Sequence, residues 1–173
     1  MQRRLFWLLP LVFVVHDGEE LFTMPAWLAA HRSMLDAIAA GSPFAARIVA
    51  TAPTSTARAA VAIGLVFALL LVVTTGVTLG RARAWFLAYC SLLGLLYLHV
   101  FTHVAQAVFF RSYVPGLFGA VFVLLPGTVF IYCKLFAARL LDRRTAILTA
   151  LGGFALFIPG ALAAWGVGRL LAG

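Results

Sequence analysis

Of the chain's 173 residues, 64% are apolar or aromatic and only 10% are charged, and its mean hydropathy is +1.08. A soluble domain carries about a quarter charged residues, so this composition excludes one and makes lipid the solvent. The formal net charge of +8 does not indicate a nucleic-acid binder, because the basic residues sit between apolar runs and form no stripe interleaved with exposed aromatics.

At about 20 residues per crossing, the expected architecture is a single integral-membrane domain over residues 1–173. It is all-α, a bundle of about five transmembrane spans plus one interfacial helix. Helices are required because runs of this length lack the alternation of barrel strands. The first span is expected over about Leu5 to Phe22, behind Arg3 and Arg4. It imitates a signal peptide, but Val14-Val15-His16-Asp17 offers no small-residue cleavage site, so it is expected to be retained. The only long connection follows, from Thr23 to Arg58. Within it Pro25 suits a first helical position, and Trp27, His31, Met34, Leu35 and Ile38 recur at helical spacing until Gly41-Ser42-Pro43. This pattern predicts one helix lying on the membrane surface.

The remaining spans are expected at about Ala59 to Leu79, Ala84 to Phe110, Leu117 to Ala138 and Ala146 to Leu171. Pro126-Gly127 and Pro159-Gly160 predict kinks or breaks in the last two. Cys90 and Cys133 are isolated and read as small core residues. Tyr89, Tyr97, Trp85 and Trp165 read as packing or interface-belt residues. An N-in, C-out arrangement puts Arg3, Arg4, Arg81, Arg83, Lys134, Arg139, Arg143 and Arg144 inside. It leaves Arg32, Arg47, Arg58, Arg111 and Arg169 outside, eight against five, as the positive-inside bias prefers. Arg-dominated basic usage without any Asn fits a GC-rich bacterial composition, so a bacterial inner membrane is the expected location.

Three of the five acidic residues fall in His16-Asp17-Gly18-Glu19-Glu20. Leu5 to Val15 makes only about 16 Å of helix, short of a hydrocarbon core of about 30 Å, so the span runs through this string or ends in it. An acid at mid-bilayer costs about 2.5 to 3.5 kcal/mol, so the cluster calls for a cation, a proton or a wet cavity. On a helix His16, Glu19 and Glu20 share an arc of about 100°. Asp17 is turned aside and reads as solvated or capping. A second polar island lies on the third span, where His99, His103 and Gln106 fall within about 60° of one another. With the first and third spans parallel, both islands reach similar depths near the outer leaflet.

Converging imidazoles and carboxylates suit a divalent metal, Zn²⁺ more than Fe²⁺. The expected ligands are His16, Glu20 and His103, with His99 a fourth ligand or a donor behind them. Glu19 is the expected general base toward a metal-activated water, and the two glutamates could exchange roles. His31 reads as interfacial. Past the third span, Pro115-Gly116 marks a sharp turn. It brings Tyr113 to the side of both islands as a proton donor or headgroup-orienting group, with Arg111 as an anion holder and Gln106 as a further polar contact.

His16-Asp17-Gly18-Glu19-Glu20 resembles the defining motif of the HXXEE-domain family of small bacterial and archaeal membrane proteins. That family also carries Asn-x-x-x-His and Tyr-x-Pro-Gly motifs. Tyr113-Val114-Pro115-Gly116 fits the latter as it stands. His99-Val100-Phe101-Thr102-His103 stands in place of the former, with His for Asn, which leaves His103 matched and the role of position 99 open. The resemblance implies a small membrane protein but no activity. The expected function is a metal-dependent membrane enzyme acting on a lipid or other apolar substrate, with hydrolysis preferred over oxidation because four histidines fall short of the histidine-rich di-iron desaturases. A cation- or proton-coupled transporter and a structural subunit are the alternatives. Expected partners are membrane lipids and the apolar substrate, with no nucleic acid; an oligomer stays open.

Overall fold

The computed structural model describes residues 2–80 and 82–172; Arg81, counted above for orientation, lies outside them. Every regular element among the described residues is helical. Helix α1 (Gln2–Phe6) and helix α2 (Leu8–Ala30) meet at Trp7. The junction follows from Pro10, which lacks the N–H that would close on the carbonyl of Phe6. Tyr89 replaces it: its buried hydroxyl donates to Phe6 O at 3.2 Å. Phenylalanine at position 89 leaves that carbonyl orphaned in an apolar core. Tyr89→Phe is therefore expected to cost about 1 to 3 kcal/mol, read as a lowered thermal midpoint in detergent; an unchanged midpoint contradicts the role.

Helix α2 does not stop near Phe22 but runs through Pro25 to Ala30. The single bond lost at Pro25 is outweighed by side chains at four-residue intervals, Glu19, Thr23 and Trp27, that dock on one loop described below. At His31 the chain turns, with His31 Nδ1 at 2.9 Å from Trp27 O. The expected single interfacial helix is instead two, α3 (Arg32–Ala40) and α4 (Pro43–Thr51). Gly41-Ser42-Pro43 does end the first, but Ser42 then caps the second by accepting from Ala45 N at 3.0 Å.

Among the described residues, four helical stretches are long and apolar enough to cross a membrane: Thr56–Leu79, Arg83–Phe110, Leu117–Ala137 and Arg143–Leu171. They mark an integral-membrane protein and correspond to the expected second to fifth spans. Helix α2, with 23 residues, is long enough but too charged to qualify, since any 18-residue window in it holds Asp17, Glu19 and Glu20. Thr56–Leu79 is α5 and Arg83–Phe110 is α6. The Leu117–Ala137 rod comprises α7 (Leu117–Gly119), a π-turn (Ala120–Leu124) and α8 (Leu125–Ala137). The kink expected at Pro126 is this π-turn: Leu125 N–H reaches back to Ala120 O, which absorbs the register slip around the missing proline donor. The last stretch breaks at Leu156 into α9 (Arg143–Ala155) and α10 (Phe157–Leu171). Pro159 thus falls in the first turn of α10, where no N–H is needed.

Helix α9 packs on α6, whereas α10 packs on α5 and α4. Large apolar side chains such as Leu79, Val108, Phe122 and Leu170 are exposed on the outside, as lipid as solvent requires. Helices α1 and α2 together run parallel to and in register with α6. Phe6 meets Tyr89 and His16 meets His99, with ring centroids 4.9 and 5.5 Å apart, and Glu20 meets His103. All three pairs share one sequence offset, which only parallel helices can keep.

Candidate metal centre

That common register brings the two polar islands together. One ligand atom from each of His16, Glu20, His99 and His103 lies within 4.8 Å of the other three, a group that could hold a metal ion. His103 Nε2 is 2.9 Å from His99 Nε2 and 3.3 Å from Glu20 Oε1; His16 Nε2 is 4.0 Å from the same oxygen. Four ligands at zinc distances of about 2.0 to 2.1 Å stand about 3.3 Å apart along the edges of a tetrahedron. The separations of 2.9, 3.3 and 4.0 Å straddle that value, so the residues fit a small tetrahedral cation.

The hydrogen bonds around the cluster point the same way. Thr102 Oγ1 donates to His99 O at 2.7 Å and lies 3.0 Å from His99 Nδ1. With its own proton committed to the carbonyl, that hydroxyl accepts from Nδ1–H, which leaves the His99 Nε2 lone pair facing His103. Two imidazole nitrogens at this distance need a proton or a cation between them. His16 Nε2 is buried without a hydrogen-bond partner among the described residues, while the backbones of Gly116 and Pro115 serve the His16 and His103 rings. Such an orphan in an apolar interior is costly unless something binds there.

Glu19 has different company. Its Oε1 accepts from the Tyr113 hydroxyl at 2.5 Å and from Phe118 N–H at 3.3 Å, and its Oε2 accepts from Gly119 N–H at 2.5 Å. The carboxylate thus fills the orphan donors at the start of the Leu117–Ala137 rod, where the helix dipole favours a negative charge. Both oxygens that a general base would need are engaged. Burial, and after it the bonded Glu19 carboxylate, hold the Tyr113 phenol above its ordinary pKa, so it remains a donor. Thr23 Oγ1 lies 3.4 Å from the same hydroxyl, and Trp27 Nε1 donates to Tyr113 O at 2.8 Å. One stripe of α2 therefore clamps the Tyr113–Gly116 loop.

The loop itself is a type II turn: Leu117 N–H bonds Val114 O at 3.2 Å, Pro115 occupies the first central position, and Gly116 the second with φ 81° and ψ −4°. A Cβ on Gly116 would lie 2.8 Å from both Glu20 Cγ and His103 Cε1. A Cβ on Gly119 would lie 2.8 Å from His16 Cα. The turn is pressed directly onto the cluster, and glycine is what admits it.

Asp17 departs from expectation. It is buried, with Oδ2 lacking a partner among the described residues, rather than solvated or capping, because α2 continues as an inner helix of the bundle and packs on α5, with Phe13 one turn earlier stacked on Phe67. Gln106 and Arg111 are exposed. Arg111 ends α6 in the left-handed region at φ 51°, where Ser112 N–H closes on Ala107 O. His31 stacks on Trp27 with ring centroids 4.2 Å apart, outside the cluster. Thr102, Thr23, Trp27 and the Phe118 and Gly119 amides are participants the sequence reading missed. The first three were legible in principle, as Thr102 sits one turn past His99 and Glu19, Thr23 and Trp27 recur every four residues.

No curated protein and no solved structure matches the chain. A family model described as a protein of unknown function with HXXEE motif matches residues 7–131. That stretch begins ahead of the His/Glu string of α2, takes in both histidines of α6 and the Tyr113–Gly116 turn, and covers well over half of the sequence. The chain belongs to the HXXEE family.

Proposed function

We propose that the chain is a zinc-dependent integral-membrane hydrolase acting on a lipid or another apolar substrate that enters from the bilayer. The observation that carries this reading is the convergence of His16, Glu20, His99 and His103, with ligand atoms mutually within 4.8 Å, inside a bundle whose outer surface is apolar. Three imidazoles suit zinc with an open position better than iron, with the Glu20 carboxylate standing beside that position. Bound there, the ion supplies Lewis acidity, lowering the pKa of water to near 7 and polarising an acyl or phosphoryl oxygen.

The chain's own groups do the rest. His16, His99 and His103 hold the ion, with Thr102 orienting His99. Glu20 stands beside them with its Oε1 3.3 Å from His103 Nε2, and in this reading it takes the proton in place of Glu19. Glu19 and Tyr113 are positioning residues that fix the turn against the cluster. Arg111 and Gln106 are exposed where a polar headgroup would pass. Helix α2, at about 35 Å, is the fifth crossing beside the four apolar ones, and α3 and α4 lie at the outer interface. The chain sits N-in, C-out in a bacterial inner membrane.

The test is zinc-dependent turnover by the purified, reconstituted protein of fluorogenic acyl-ester and phosphoester lipid analogues. Turnover is expected with zinc, and Glu20→Gln is expected to retain zinc and lose at least about a hundredfold in rate. Zinc or proton flux in proteoliposomes without turnover contradicts the hydrolase and supports the transporter.

A further inference from the structure

The cluster has walls of unequal thickness. His16 and His103 are buried, whereas Glu20, under the Tyr113–Gly116 turn, and His99 are half-buried. Against His99 packs the ring of Phe157, with its centroid 4.7 Å from that of the imidazole. Phe157 is the first residue of α10, directly after the break at Leu156. At that break the last span changes partner, leaving α6 for α5 and α4. The face of α6 that α9 covers through Ser91 and Gly94 accordingly loses its cover further out: Ala105 and Phe109 are exposed, as are Leu156 and Ile158 across the break. A helix interruption at membrane depth is tolerated where its freed backbone faces protein or a cavity. Here it lies beside half-buried His99.

We infer that substrate reaches the centre sideways from the bilayer, between the outer half of α6 and the start of α10, and that Phe157 is the residue its chain must displace, so that Phe157 sets the width of chain admitted. The occupant is a single alkyl or acyl chain, because the rim is apolar and the obstruction is one ring rather than a helix. Phe154, stacked on Phe157 at 5.9 Å, gives the ring a second apolar surface on which to rest. The inference rests on the proposed zinc site and deepens it by naming the route and the residue that sizes the substrate.

The experiment uses alkyl hydroxamates, whose headgroup binds zinc, on the zinc-loaded full chain in nanodiscs. Acetohydroxamate and decyl hydroxamate are titrated against wild type, Phe157→Trp, Phe157→Leu and a lipid-face control, Val108→Trp, with zinc content measured on each. Partitioning of the decyl chain into the bilayer is common to all variants and cancels in the comparison. Tryptophan overfills the passage, so Phe157→Trp is expected to weaken decyl hydroxamate about tenfold or more and acetohydroxamate less than about twofold. Phe157→Leu is expected to keep zinc and to bind the decyl chain as well as or better than wild type, and Val108→Trp to match wild type. Full zinc loading with equal effects on both hydroxamates, or with none, overturns the route while leaving the metal site standing. Wild type without zinc overturns the metal site, and the route with it.

Discussion

Alanine at position 103 is expected to strip the protein of zinc. His103 Nε2 lies within 3.3 Å of both His99 Nε2 and Glu20 Oε1, so it is the hub through which the α2 and α6 groups meet. Removing it leaves two imidazoles and a carboxylate around a void. The loss of affinity should exceed the roughly 10- to 100-fold typical of residues that merely orient ligands. Metal analysis of detergent-purified protein checks this, with His16→Ala expected to behave alike and His31→Ala, at a histidine outside the cluster, to keep its zinc. A graded result is expected from Thr102→Val, which frees the His99 ring without removing it. Equal zinc in all four variants and wild type would mean that the histidines are structural.

A single methyl group at Gly116 is expected to do comparable damage without touching a ligand. Alanine there must hold φ 81°, at a cost of about 1 to 2 kcal/mol. Its Cβ must also enter space 2.8 Å from Glu20 Cγ and His103 Cε1, which adds about 1 to 3 kcal/mol of overpacking. The atoms that have to yield belong to the cluster itself, so zinc affinity and thermal stability should fall together. Gly18 provides the contrast. A Cβ there meets nothing within 4 Å, and Gly18 is helical, so Gly18→Ala should raise stability by up to about 1 kcal/mol and leave zinc unaffected. Parallel melting curves and metal analyses of both variants settle the matter. Gly116→Ala protein with wild-type stability and zinc would contradict the close approach of the turn.

The pairing of His16 and Glu20 with His99 and His103 was legible in the sequence because it follows from two local facts, helical spacing and the apolar lengths ahead of each island. Four of the apolar spans were legible for the same reason. What stayed hidden depends on partners distant in sequence. Pro25 reads as a helix start, yet α2 passes through it because Thr23 and Trp27 find Tyr113 on another segment. Asp17 reads as solvated because a projection of one helix cannot know that α5 lies alongside. Glu19 reads as a base because its spacing matches Glu20; only the fold reveals the amides of Phe118 and Gly119 at its oxygens. Proline at 159 signals an interruption but not its location, since a first-turn proline shifts the break to Leu156.

Zinc K-edge X-ray absorption on the purified wild-type protein tests the central claim most directly. The account predicts about one zinc per chain, four-coordinate, with about three imidazole nitrogens at roughly 2.0 Å, oxygen completing the shell, and no sulfur. Substoichiometric zinc, a shell of water oxygens alone, or a spectrum unchanged in His103→Ala would contradict it.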